Sequence, residues 1–123
     1  MPNRIVVFSF SLFYTLVITT LSLVQLDDIP KLNTGFDDKI AHFLCYAILC
    51  LMWFLSFYSF KIKRSLFAAS AFSILFGLII EIIQSQATVH RTAEVLDFLA
   101  NTMGALAMTI LIYLKKKVII KNL

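Results

Sequence analysis

Four long apolar stretches divide this chain, and they constrain its fold more than any other feature of the sequence. They cover residues 5–26, 40–60, 66–83 and 98–114. A helix needs about 20 mainly apolar residues to cross the hydrocarbon layer of a membrane, where the backbone must satisfy its own hydrogen bonds. We therefore predict an all-α membrane protein with four transmembrane helices, folded as a single domain over residues 1–123.

The composition supports this class. Hydrophobic residues make up 60% of the chain and charged residues 15%, and the mean hydropathy is +0.89, which does not fit a soluble domain with a polar shell. The first apolar stretch follows Arg4, as in a secretory signal. It is longer than the apolar part of such signals, about 7 to 15 residues, and no small-residue cleavage site follows it. We expect it to remain as a transmembrane helix.

Basic residues predict the orientation. Arg4 precedes the first helix, a basic cluster occupies residues 61–64, and four lysines follow residue 114. Because Lys and Arg are enriched on the cytoplasmic side, we predict a multi-pass protein of the inner (cytoplasmic) membrane with both termini in the cytoplasm. The formal net charge of +4 does not indicate nucleic-acid binding, because these residues lie at helix ends; anionic lipid explains them better.

Polar residues begin the second helix on the opposite, outward side. Asp38 and His42 are four positions apart and share a face, Lys39 is adjacent, and Tyr46 and Trp53 continue the stripe. A nearby carboxylate would suit His42 to act as acid, base or phosphate partner. Alternatively, Asp38 caps the helix, Lys39 extends to the surface and His42 lies at the headgroup boundary.

The third helix carries Gly77, Glu81 and Gln84 on one face. Gly77 would permit close helix approach. An ionised acid in a membrane costs a few kcal/mol, so Glu81 should face the bundle interior and either find a partner or be protonated. The alternative is a purely structural acid that holds neighbouring helices together.

Residues 84–96 are too polar to span the membrane, and we predict an interfacial or re-entrant segment between helices three and four. Arg91 in this segment could reach Glu81 or a lipid phosphate. The fourth helix then begins with Asp97, Asn101 and Gly104 on one face. Asp97 could pair with Glu81.

No sequence pattern indicates a cofactor. The chain has no phosphate loop, no nucleophile elbow and no paired His or Cys spacing. A metal bound by His42, Glu81 and Asp97 would need ligands from three helices, so we predict no metal site. Cys45 and Cys50 point in different directions on one helix and should be packing residues.

Taken together, three motifs resemble the VanZ-like family of small bacterial membrane proteins. They are Asp38-Lys39-Ile-Ala-His42, Gly77-Leu-Ile-Ile-Glu81-Ile-Ile-Gln84, and Arg91 followed by Leu96-Asp97-Phe-Leu-Ala-Asn101-Thr-Met-Gly104. The resemblance covers residues 37–108 and implies a four-helix VanZ-like transmembrane domain. The best-known member of that family is associated with resistance to teicoplanin, and the family's biochemical activity is poorly defined.

The favoured interpretation is a cell-envelope protein whose outward polar site binds or modifies an anionic lipid or a lipid-linked cell-wall intermediate, with a link to glycopeptide resistance. Whether it is an enzyme is left open. The predicted catalytic residues are His42, Glu81 and Asp97, and the predicted substrate-binding residues are Asp38, Lys39, Gln84, Arg91 and Asn101. The alternative is a non-enzymatic scaffold or drug-shielding factor in which these residues hold the helices together. Transport is weaker without an inverted repeat, although an oligomer could form a pathway.

Overall fold

The computed structural model describes residues 3–23, 35–87 and 95–121, and within them the chain forms four α-helices and no strands. They are α1 (Arg4–Leu23), α2 (Gly35–Ser59), α3 (Ser65–Ala87) and α4 (Val95–Lys121). Each contains an apolar segment long enough to cross a membrane. The prediction of an all-α, multi-pass membrane protein is confirmed.

The helix bounds differ from the predicted apolar stretches at several ends; for example, α2 begins at Gly35, where the apolar stretch was predicted to begin at residue 40. The fourth apolar stretch was predicted to end at residue 114, and helical geometry is interrupted directly after it, at Lys115, before helical residues continue to Lys121. The predicted interfacial segment 84–96 is helical at both ends, because α3 extends to Ala87 and α4 begins at Val95. Its centre, residues 88–94, lies outside the described part of the chain.

Helix α2 is the centre of the bundle and contacts each of the other three helices. Five of its side chains are buried at helical spacing, which defines the face that packs against α3 and α4: Tyr46, Leu49, Cys50, Trp53 and Phe54. Small residues opposite this face, such as Ala69 on α3 and Ala105 on α4, are fully buried. Large apolar residues on the outer surface, such as Phe67, suit contact with lipid.

Polar contacts also join the helices. Three of them link α1 to α2: Ser11 Oγ donates to the Met52 carbonyl at 3.0 Å, Tyr14 Oη to the Cys45 carbonyl at 2.6 Å, and Trp53 Nε1 to Thr15 Oγ1 at 2.9 Å. Thr109 on α4 meets Ser70 on α3 at 2.5 Å and Cys50 on α2 at 3.6 Å. Such bonds contribute roughly 0.6 kcal/mol each on average in membrane helix bundles. Cys45 and Cys50 are free thiols, as predicted.

The two ends of the bundle differ in chemistry. We call one the basic end: the α2–α3 turn at residues 61–64 lies there, with the start of α1 and the end of α4. The Arg4 guanidinium lies 5.5 Å from the centre of the Phe60 ring, which brings the start of α1 beside this turn. The other, which we call the polar end, holds the start of α2, the end of α3 and the start of α4.

Candidate functional site

Three helices meet at Gly77, near the polar end. A Cβ atom placed on Gly77 would lie 3.1 Å from Cε2 of Tyr46 on α2 and 3.3 Å from Cβ of Asn101 on α4. Gly77 is therefore the point at which α3 admits the other two helices, as its small size predicted. This close approach brings together Tyr46 of α2, Gly77 of α3 and Asn101 of α4.

A second glycine holds α4 against α2. A Cβ atom at Gly104 would overlap the carbonyl oxygen of Phe43 and lie 2.9 Å from its carbonyl carbon. The contact is with backbone, so only a residue without a side chain permits this helix spacing. Gly104 thus determines how Asn101, one turn closer to the polar end, faces α2 and α3.

Glu81 lies inside the bundle. Its side chain is only 4% exposed, which confirms the prediction that this acid faces the interior. The Tyr46 side chain on α2 is likewise buried, at 3% exposed. Burying an acid inside a membrane protein is energetically costly. Helix packing alone therefore does not explain why an acid occupies this position.

The next turn toward the polar end carries the predicted catalytic residues. One turn from Tyr46 along α2 is His42, one turn from Gly77 along α3 is Glu81, and one turn from Asn101 along α4 is position 97. Residues four apart share a helix face, so these three positions continue the faces that converge at Gly77. His42 is half-buried. The Asp97 side chain lies outside the described part of the structure.

Two buried polar side chains in this cluster have no hydrogen-bond partner among the residues that the structure describes. Within the described residues, neither Nδ2 nor Oδ1 of Asn101 has a partner, nor does the Tyr46 hydroxyl. Asn101 is 1% exposed. Each such buried group costs about 1 to 3 kcal/mol relative to a satisfied one. These groups therefore do not hold the bundle together through bonds to one another.

The remaining predicted site residues are only partly described. Lys39 is half-buried near the start of α2. Asp38 and Gln84 belong to α2 and α3, but their side chains lie outside the described part of the chain, as does Arg91 altogether. The convergence of His42, Glu81, Arg91 and Asp97 in one cavity stays a prediction.

Metal ligands do not cluster in the described residues, where no group of three His, Cys, Asp or Glu side chains could hold an ion. Glu81 and His42 belong to this described set. Asp97, the third side chain considered for such a site, is not part of it.

Sequence reasoning placed Tyr46 on the His42 stripe but not in the site. The structure puts its ring against Gly77, one helical turn from Glu81 along α3. The available signal was its spacing of four residues from His42, which places both on one helix face. Thr102, with a buried hydroxyl lacking a partner among the described residues, was also not predicted; no sequence pattern pointed to it.

Comparison with known proteins is informative at the level of the family. The family model for VanZ/LLP1 matches residues 4–116, which is nearly the whole chain. No curated protein and no solved structure matches it significantly. The match includes α1 to α3, most of α4 and every position of the cluster around Gly77, and the chain therefore belongs to the VanZ/LLP1 family.

Proposed function

We propose that this VanZ-family membrane protein acts in the cell envelope by binding, at its polar end, an amphiphile with an anionic head, such as a phospholipid or a lipid-linked cell-wall intermediate. In this proposal Lys39 and Arg91 hold the phosphate, and Asp38, Gln84 and Asn101 complete the binding site. His42, Glu81 and Asp97 supply proton transfer where the lipid is modified as well as bound.

The Asn101 amide carries the proposal. It is buried where α2, α3 and α4 meet, and its two polar atoms have no hydrogen-bond partner among the described residues. A residue kept only to join helices would be bonded across the interface, as Thr109 is to Ser70. A buried amide that lacks a partner among the described residues, on a helix face that also meets the Glu81-bearing helix, is instead typical of a site that pairs with a ligand.

The scaffold alternative assigns the same residues to holding the bundle together. Other contacts already join the helices, namely the α1–α2 hydrogen bonds, the Thr109 contacts and the close approach of Gly104 to Phe43. The polar end is thus not needed as the main attachment between helices, which favours binding over a purely structural role.

The deciding experiment compares function with abundance. Glu81→Gln, Asp97→Asn and Arg91→Ala would be expressed in cells and scored for envelope stress and teicoplanin susceptibility, with the amount of folded protein in the membrane measured in parallel. The binding proposal expects function to be lost while abundance stays near that of the unchanged protein. The scaffold expects both to fall together, because breaking a buried ion pair costs roughly 3 to 5 kcal/mol.

Ser56→Ala is the matched control. Its hydroxyl is buried and lacks a partner among the described residues, as in the Asn101 amide, but it lies ten residues from Tyr46 along α2, about 15 Å away. We expect this variant to retain full function. Normal function at normal abundance in Glu81→Gln, Asp97→Asn and Arg91→Ala alike would refute the proposed site.

A further inference from the structure

A groove opens at the basic end of the bundle, opposite the site discussed above. Its volume is about 460 Å³, and it lies between the α2–α3 turn and the end of α4, within the size range of small-molecule sites. Three cations line it, Lys61, Arg64 and Lys116, together with the hydroxyl-bearing residues Tyr58, Ser59 and Ser65. Among the described residues that line it, none is acidic. We call it the basic groove.

The backbone holds two of these cations in an unusual conformation. After α2, Lys61 N donates to the Tyr58 carbonyl and Ile62 N to the Phe57 carbonyl, both at 3.0 Å. This pattern is the Schellman motif, whose left-handed position normally belongs to glycine. Here Lys61 occupies it with φ of 59°, and Arg64 has φ of 57°. Strained positions of this kind tend to occur at functional sites, so two cations in place of glycine call for a functional explanation.

The third cation comes from a break in α4. Lys115 departs from helical geometry with φ of −111° and ψ of 15°. Immediately after this break, Lys116 lines the groove. Three other exposed lysines nearby, Lys63, Lys115 and Lys117, are not among its lining residues. The groove is therefore lined by particular cations from two distant chain segments and not by their immediate neighbours.

Three cations, with no acid among the described lining residues, suit an anion with several oxygens. The Ser59 and Ser65 hydroxyls donate to the Leu55 and Ile62 carbonyls, so the cations supply the donors. Arginine binds phosphate through two parallel hydrogen bonds, and lysine adds charge. Four apolar helices place this end near the membrane surface, where phosphate-bearing headgroups are abundant. We propose that the basic groove binds a phosphate group, borne by an anionic lipid head or by a soluble phosphate compound, as a second ligand site independent of the polar end.

The test uses the full chain and two variants of equal charge. One carries Lys61→Gln, Arg64→Gln and Lys116→Gln; the other carries Lys63→Gln, Lys115→Gln and Lys117→Gln. Native mass spectrometry measures retained phosphatidylglycerol, with phosphatidylcholine as the neutral reference lipid, and calorimetry measures the binding of inorganic phosphate. We expect the groove variant to lose at least about tenfold in affinity and the control to stay within about twofold, since each contacting cation contributes separately.

The two probes identify the source of the phosphate. If inorganic phosphate does not displace the retained phosphatidylglycerol, the groove binds a lipid head. If inorganic phosphate binds to protein held in phosphatidylcholine, the groove binds a soluble phosphate compound. Equal losses in both triple variants would mean diffuse attraction by surface charge and would overturn the proposal, as would no loss in either.

If the triple groove variant fails to fold, as judged by helical circular dichroism and gel filtration, two single variants are compared in its place. Lys116→Gln and Lys117→Gln are adjacent single changes on one exposed helix end. We expect about a fivefold loss of affinity for the first and none for the second. Identical affinities would contradict the groove.

Discussion

The α-carbon of Gly104 lies against the main chain of Phe43, so closely that a Cβ atom there would come within 3.0 Å of the Phe43 α-carbon and overlap its carbonyl oxygen. This one contact determines the distance between α2 and α4, the two helices that bring His42 and Asn101 to the polar end. The site and the stability of the bundle therefore depend on the same pair of residues.

Gly104→Ala should destabilise the protein. Alanine favours helix by about 1 kcal/mol over glycine, but the added methyl meets backbone that cannot turn aside, and such overpacking costs about 1 to 3 kcal/mol or more. Thermal unfolding in detergent measures the result. Gly77→Ala is the control, because its contacts are the side chains of Tyr46 and Asn101 at 3.1 Å or more. These can shift, so its loss should be smaller. Equal stability of Gly104→Ala and the unchanged protein would contradict the close contact.

Asn101→Leu should separate stability from function. Leucine has nearly the same size and removes two buried polar atoms that lack partners among the described residues. We expect the free energy of unfolding to stay equal or rise by about 1 to 3 kcal/mol, while function in the teicoplanin-susceptibility assay is lost. Unfolding and activity are measured on the same variant. A less stable but fully active protein would indicate a structural amide and weaken the binding proposal.

Lys61→Gly should stabilise the α2–α3 turn. Lys61 has a positive φ of 59°, which costs a residue with a side chain about 1 to 2 kcal/mol. Glycine removes that cost and adds some freedom to the unfolded chain, so the net gain should be about 0.5 to 1 kcal/mol. Lys63→Gly, in the same turn, should lower stability instead, because the φ of Lys63 is not positive. If both changes lower the unfolding temperature, Lys61 does not have the left-handed backbone conformation.

Orientation in the membrane is tested by cysteine labelling in a background of Cys45→Ala and Cys50→Ala. The positive-inside rule predicts that Lys63→Cys, exposed at the basic end, reacts only after the cells are opened. Asn33→Cys, which lies between α1 and α2 in the sequence and outside the described residues, should react from outside. Strong external labelling at position 63 with none at position 33 would reverse the topology and move the polar end to the cytoplasm.

Local properties of the sequence were sufficient for much of the fold. The four helices follow from apolar length, since a membrane leaves the backbone few alternatives. The inward direction of Glu81 follows from the cost of a charge in lipid, and the close approach at Gly77 follows from its missing side chain. The fourth apolar stretch, predicted to end at residue 114, stops directly before the break in helix geometry at Lys115, after which helical residues continue to Lys121.

Helix pairing, in contrast, is a property of the packed chain. The sequence could not indicate that α2 contacts all three other helices, that Tyr46 joins Gly77 and Asn101, or that the Asn101 amide is buried without a described partner. Each depends on rotation and spacing between helices far apart in sequence. The same reason applies to the basic groove: the sequence determines a set of exposed cations, but only the left-handed turn at Lys61 and the break at Lys115 decide that Lys61 and Lys116 line one cavity.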